Sequence, residues 1–205
     1  LKPLELFNMI IGITGGIGSG KSTIAKQLRA MGYAVYDTDS EAKRLIVEDA
    51  HVRQQIEQLF GNEVYKDGVY QTALVAQRVF ADRSLLAQLN AIVHPAVRAD
   101  IERRVSGHAS RESRVENQKN LFFIECAILY QAGFDSLCDK VVAVTAPEDV
   151  RLQRVIARDH SSSDKVLARM RAQQAEEILQ RADIIINNDG QTPISTLCKE
   201  IINQL

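Results

Sequence analysis

Residues 15–22 read GGIGSGKS, which fits the pattern G-x-x-x-x-G-K-[ST]. Each residue type suits one task at a polyphosphate. Glycine tolerates positive φ, so the main-chain N–H groups of Gly16, Gly18, Ser19 and Gly20 can turn inward toward phosphate oxygens. A helix beginning near Lys21 adds its positive end. The Lys21 ammonium can reach β- and γ-phosphate oxygens, the Ser22 hydroxyl can ligate Mg²⁺, and Thr23 would lie near the α-phosphate. The apolar run MIIGIT precedes the loop and the amphipathic run KSTIAKQLRAMG follows it, which is the strand–loop–helix setting such a loop needs. Binding of a nucleoside triphosphate is therefore expected.

The acceptor of the γ-phosphoryl is a separate question. A guanine-reading switch would carry N/T-K-x-D after a later strand, but the segments in those places read TAPED and NNDG. A D-x-x-G switch is also missing after the strand that ends in IECAIL. A kinase needs a group to position the acceptor hydroxyl and positive charge over the transferring phosphoryl. The segment YDTD supplies Asp37 and Asp39 at the end of the second strand, on the carboxyl edge of the sheet where the loop also lies. Asp39 could accept the hydroxyl proton; Thr38 or Asp39 could equally cap the helix that follows. Arg151, Arg154 and Arg158 recur along one helical face, and Arg169 and Arg171 follow a serine-rich turn. Singly, each reads as a solvated cation; together they suggest a lid that covers phosphate and excludes water.

These residues have to be held by a scaffold. Strand-like runs (MIIGIT, YAVYD, LFFIECAIL, KVVAVTA, DIIINN) alternate with helical ones, so the fold class expected is α/β. Its core would be P-loop and nucleotide-kinase-like: a five-stranded, mostly parallel sheet covered on both faces. Residues 9–48 and 119–205 would form it, with a helical lid at about 158–173. Residues 49–118 read as a helical, substrate-binding insertion with turns at GNEVYKDG and near Asp82. Pro95 disfavours helix at His94, which suggests a break between two helices. Pro147 reads as a first helical position. The Ser-x-x-Asp pattern at 161–164 reads as a cap for one helix running to about Ala182. Thr192 reads as the cap of the last helix.

Bulk properties narrow the partners. Net charge is -1 and the pI is about 6.5, which gives a general nucleic-acid binder no support. No apolar run approaches the ~18–20 residues that span a bilayer, so a soluble, cytoplasmic protein is expected. Met9 directly precedes the first apolar strand, and the eight residues before it read as an extension or as a remnant foreign to the fold. Three cysteines at odd spacing read as reduced core thiols, and the four scattered histidines make no metal pattern.

Several segments together resemble the dephospho-CoA kinase family. They are IGITGGIGSGKST, YDTDSEAK, LNAIVHPAVR, ILYQAGF, VTAPEDVRLQRVIARD, RMRAQ and ADIIINNDG, in family order from Met9 to the last helix. The pair His94–Pro95 within its leucine-led segment is the most discriminating. The resemblance implies that ATP phosphorylates the ribose 3′-hydroxyl of dephospho-CoA, with Mg²⁺. It implies Asp39 as base or orienting carboxylate, and His94 in the dephospho-CoA pocket. Arg158 and Arg171 would serve the lid and the phosphates, and Asn188 would border the adenine. Glu125 stands where the family commonly has aspartate, which leaves its help to Mg²⁺ open. The alternatives are another P-loop nucleotide or metabolite kinase, and a non-catalytic nucleotide-binding regulator.

Overall fold

The computed structural model describes residue 7 and residues 9–107, 120–173 and 175–205. The proposed extension at 1–8, the polar connection around 108–119 and the core boundary at 118/119 fall largely or wholly outside them. The chain runs through β1 (Met9–Thr14), α1 (Lys21–Ala30), β2 (Ala34–Asp37), α2 (Thr38–Glu48) and α3 (Ala50–Phe60). Next come β3 (Tyr65–Lys66), β4 (Val69–Tyr70), α4 (Thr72–Ala81), α5 (Arg83–Gly107) and β5 (Leu121–Glu125). β6 (Lys140–Thr145), α6 (Glu148–Asp159), α7 (Ser163–Ala172), α8 (Ala175–Arg181), β7 (Ile184–Asn187) and α9 (Ile194–Gln204) complete it. Two compact units result: Leu1–Tyr36 with Ala109–Leu205, and Asp37–His108. The division falls at Asp37, so α2 is grouped with the helical unit.

The first unit is built on a five-stranded sheet in the order β2-β5-β1-β6-β7. β1 pairs in parallel with β5 and β6, and β6 pairs in parallel with β7. Strands covered on both faces must be apolar throughout, and all five residues of β5 are buried. Ile11, Ile13, Ile24, Leu28, Phe123, Val142, Val144, Ile186 and Ile201 form the core between the sheet, α1 and α9. Connections leave β1 toward β2 on one side and reach β6 and β7 on the other, so the crevice lies at the carboxyl end of β1. The phosphate loop follows β1 directly. Register sets Ile13 beside Glu125, which brings the acid at the end of β5 to the mouth of that crevice.

The second unit has its own core of Val52, Ile56, Phe60, Val64, Tyr65 and Val75. α2 is capped by Asp37, whose Oδ1 accepts from the N–H groups of Asp39 and Ser40, each at 3.1 Å. This corrects the expectation that Thr38 or Asp39 caps it: Asp37 already has the extended backbone a cap needs, and Asp39 sits in the first turn. The turn at GNEVYKDG opens a two-stranded hairpin, completed by Val69–Tyr70. Asp67 and Gly68 at its tip both have positive φ, 51° and 80°, as a two-residue primed turn requires.

α5 is a single helix of 25 residues with Pro95 inside it, so the expected break at His94 does not occur. Val93, Val97 and Ile101 are buried at helical spacing along it, and their packing outweighs the hydrogen bond that proline removes. Asp100, on the same helix, is buried. It accepts from Arg44 at 3.1 Å, Arg103 at 3.2 Å and Arg104 at 3.3 Å. Glu41 binds Arg44 and Arg104 as well, at 2.6 Å each, so four charged groups tie α2 to α5. Arg44 is correspondingly pushed above the ordinary arginine pKa, first by its bond to Glu41.

Three helix starts in the first unit differ from the expected ones. Pro147 and Pro193 occupy the capping position itself, in extended conformation, rather than the first helical turn and the place behind Thr192. The Ser-x-x-Asp pattern supplies no side-chain cap, and the helix it opens is interrupted between α7 and α8. Proline's fixed φ suits the extended cap residue as well as the first turn, so sequence separates the two poorly.

The charged tie between α2 and α5 predicts that Asp100→Ala destabilises the protein by about 1 kcal/mol, because three arginines lose a buried acceptor while Arg44 and Arg104 keep Glu41 and all three stay partly exposed to water. Urea unfolding measured by circular dichroism checks this.

Candidate functional site

The phosphate loop is shaped by what its carbonyl groups bind. The Gly16 carbonyl accepts from the Ser19 N–H at 3.1 Å. The Ile17 carbonyl accepts from Arg151 Nε at 2.9 Å. Arg154 Nη1 makes long contacts of 3.4 Å to the Gly18 and Ser19 carbonyls and a shorter one of 3.1 Å to the Asn188 carbonyl. Asn188 Nδ2 donates to the Ser19 carbonyl at 2.8 Å. With their carbonyls drawn outward, the N–H groups of Gly18, Gly20, Lys21 and Ser22 have no carbonyl acceptor among the described residues. α1 has no side-chain cap, and Gly20 at its start is left-handed. That open ring of donors at a helix N-terminus is an anion site.

Gly15, Gly18 and Gly20 are required by their neighbours as well as by positive φ, since a Cβ would meet the Val144 carbonyl, the Arg151 carbonyl and Asn188 respectively, whereas Gly16 faces the movable end of Arg151. A Cβ on Gly16 would lie 2.7 Å from Arg151 Nη2. On Gly20, where φ is +91°, it would lie 2.2 Å from Asn188 Nδ2. α6 and the turn after β7 thus close on Gly18 and Gly20 so tightly that side chains are excluded there.

At the loop's end, Lys21 Nζ lies 3.7 Å from Glu125 Oε1, and Ser22 Oγ donates to the same oxygen at 3.0 Å. Glu125 is buried and arrives there through the β1–β5 register. Hydroxyl and carboxylate oxygens are the donors that a hard divalent cation prefers, with the remaining positions filled by phosphate and water. Among the described residues, no group of three or more His, Cys, Asp or Glu could hold a metal ion alone. The pair therefore fits a Mg²⁺ ion that arrives with a polyphosphate. Ser19 Oγ and Arg151 Nη2 are buried beside the loop without a hydrogen-bond partner, and such orphaned donors favour an anion there. Burial pulls Arg151 below the ordinary arginine pKa.

The other residues expected from sequence are distributed as follows. Thr23 is exposed on the first turn of α1. Asn188, expected beside an adenine, is 2% exposed and has its side chain committed to the loop and to Arg154. Arg151 and Arg154, read as lid arginines, grip main-chain carbonyls instead. Arg158 binds Asp159 at 2.7 Å, and Arg169 binds the same carboxylate at 2.9 Å, joining α6 to α7. Those two hydrogen bonds, Arg158 first, hold the Asp159 carboxyl well below the usual range. A depressed carboxylate stays ionised below the ordinary value near pH ~4, so the stability this tie adds is full above that value and is lost only as pH falls through the depressed one. Arg171 is exposed on the last turn of α7 and makes no ion pair among the described residues. Asp39 and His94 belong to the other unit. His94 is half-buried, and desolvation lowers its pKa, which favours the neutral imidazole.

Sequence reading missed the bracing role of Arg151, Arg154 and Asn188. The arginine spacing revealed a shared face, but partners that are main-chain atoms some 134 residues away leave no local signature.

The model of the family described as dephospho-CoA kinase (CoaE) matches residues 9–193. A dephospho-CoA kinase of Porphyromonas gingivalis is 42% identical over 172 residues, covering 84% of this chain and 81% of that protein. Among solved structures, TT1252 from Thermus thermophilus superposes with a TM-score of 0.78 at 34% identity, over 97% of this chain and 98% of the other. The dephospho-CoA kinase from Campylobacter jejuni gives a TM-score of 0.67 at 25% identity, over 95% and 96% of the two chains.

The bracing of the loop predicts that Gly20→Ala, strained in φ and colliding with Asn188, weakens nucleotide binding at least about tenfold, equivalent to ~1.4 kcal/mol. Calorimetric titration with a magnesium–nucleotide complex measures the change.

Proposed function

Since the chain belongs to the dephospho-CoA kinase family, we propose that it transfers the γ-phosphoryl of ATP to the ribose 3′-hydroxyl of dephospho-CoA, yielding coenzyme A and ADP. It is a kinase of coenzyme A biosynthesis. The observation that supports this most is the ring of unmatched amides at Gly18, Gly20, Lys21 and Ser22, held open by outward-facing carbonyls. A site of that kind binds the β- and γ-phosphates, and the membership of the family supplies the acceptor.

Asp39 orients the ribose hydroxyl and takes its proton as the new O–P bond forms and the bond to the β-phosphate oxygen breaks. Lys21 faces the β- and γ-oxygens, and loop amides hold the phosphates in line. Ser22 would hold Mg²⁺, and Glu125, which accepts from Ser22 Oγ, would orient that hydroxyl. The ion, when bound, offsets charge on the β- and γ-oxygens. In the absence of ligand, Glu125 keeps Lys21 in place. His94 binds dephospho-CoA. Arg158 reaches the transferring phosphoryl after exchanging Asp159 for it, and Arg171 contributes charge to the acceptor side. Asn188 and Arg154 brace the loop on the nucleotide side. Location in the cytoplasm accords with this role; no helix among the described residues is long and apolar enough to cross a membrane. Nucleic acid is not a partner in this reading.

Incubation with Mg-ATP and, in parallel, dephospho-CoA, adenosine, AMP or pantothenate, followed by ADP release, tests the assignment. Dephospho-CoA should be strongly preferred; preference for adenosine or AMP overturns it. Asp39→Asn should lower kcat by about 10²-fold or more while leaving ATP affinity nearly intact; unchanged turnover removes Asp39 from the mechanism. His94→Ala should raise KM for dephospho-CoA about tenfold, equivalent to ~1.4 kcal/mol, without altering KM for ATP. Steady-state kinetics with each substrate varied separates the two.

A further inference from the structure

Ile17 stands between two glycines in the phosphate loop and belongs to no helix or strand. The hairpin of α6 and α7 nevertheless grips it at three points. Its N–H donates to Gln173 Oε1 at 2.6 Å. Its carbonyl accepts from Arg151 Nε at 2.9 Å. Its side chain packs against Val155, Val166 and Met170, which bind α6 to α7.

Gln173 lies at the end of α7. There the backbone leaves helical conformation, with φ −86° and ψ 126°, and the Gln173 N–H closes on the Met170 carbonyl at 3.3 Å. The side chain is thereby freed from the helix row and turned to the loop. Arg151 lies eight residues before the end of α6. The two peptide planes that flank Ile17 are therefore pinned by the two arms of one hairpin. Without those bonds, a residue flanked by Gly16 and Gly18 would hold its conformation poorly, since glycine leaves both sides free to rotate. The residue type matters too. A glutamate would accept the same N–H but would set a negative charge beside a polyphosphate; glutamine accepts without charge.

We propose that Gln173 is a positioning residue for phosphoryl transfer: by accepting the Ile17 N–H it latches the α6–α7 hairpin to the phosphate loop. A docked hairpin keeps the loop amides in register on the phosphates. A lifted hairpin releases Ile17 and loosens the site. This inference rests on the kinase reading of the loop, and it makes the RMRAQ segment, whose last residue is Gln173, a functional element.

Gln173→Met keeps length and flexibility and removes the acceptor; Gln173→Glu keeps the acceptor; Gln173→Asn serves as a second loss variant with a shorter reach. Amide exchange at Ile17, read by NMR on the ligand-free full chain, should be at least tenfold faster in Gln173→Met and Gln173→Asn and near wild type in Gln173→Glu. The two loss variants should raise KM for ATP about five- to tenfold, the range a single hydrogen bond supports. They should also increase ADP formation without acceptor relative to coupled turnover, with melting temperature unchanged. Unaltered Ile17 exchange in both loss variants overturns the latch. Faster exchange with unchanged KM, kcat and uncoupled hydrolysis shows a merely structural contact and overturns it equally. Absence of dephospho-CoA phosphorylation by the wild-type chain would remove the kinase reading instead, and Ile17 exchange would still decide whether the latch exists.

Discussion

The orientation of a few peptide groups between Gly16 and Ser22 is the constraint on which the site depends. A loop rich in glycine has no intrinsic reason to point its amides one way. Here Arg151 and Asn188, with longer contacts from Arg154, draw the carbonyls outward, and the amides then face the other way by covalent geometry. The neutral bond from Asn188 contributes only about 1 kcal/mol net, and a well-formed bond from a guanidinium about 1.5–3 kcal/mol. Their joint effect is that the site is built before ligand arrives, so binding does not have to order it. The opposing cost is visible in Arg151, whose burial disfavours its charge.

The sheet makes that arrangement possible. β1 lies between β5 and β6, and its core residues Ile11 and Ile13 are fully buried. A strand so held fixes the start of the loop, and the parallel register with β5 fixes Glu125 relative to Ser22 and Lys21. The length of glutamate suits this geometry, since Glu125 reaches both the hydroxyl and the ammonium. One carboxylate thus organises the cation of the protein and a hydroxyl suited to the cation of the substrate.

Features written in local sequence were legible, and features made by distant chain segments were not. The loop, the strand before it and the helix after it could be read from twenty residues, because their signals are glycine placement and apolar period. The α/β order was equally plain. The cap of α2 was misread by one or two residues because Asp37, Thr38 and Asp39 all have capping chemistry, and only backbone conformation selects Asp37. Pro95 was read as a break because its local effect is unfavourable; tertiary burial of Val93, Val97 and Ile101 overrides it. The hairpin at Asp67–Gly68 carried a recognisable turn signal, but its strands are two residues each, too short to show alternation. For Arg151, Arg154 and Gln173 no sequence signal distinguishes a brace from a solvated side chain.

Among the arginines of α6 and α7, burial separates two kinds of task. Arg151 and Arg154 are part-buried and hold main-chain atoms, so releasing them would leave polar groups unmatched, and they stay where they are. Arg158 and Arg169 meet Asp159 in the open, where ion pairs are weak, screened by salt and easily exchanged. A phosphate is a better partner than one carboxylate for such a guanidinium, because it offers more charge and more acceptor oxygens. The buried arginines therefore suit a permanent scaffold, while the exposed ones suit a ligand that comes and goes. A hairpin that carries both can stay attached to the loop at one end and rearrange at the other.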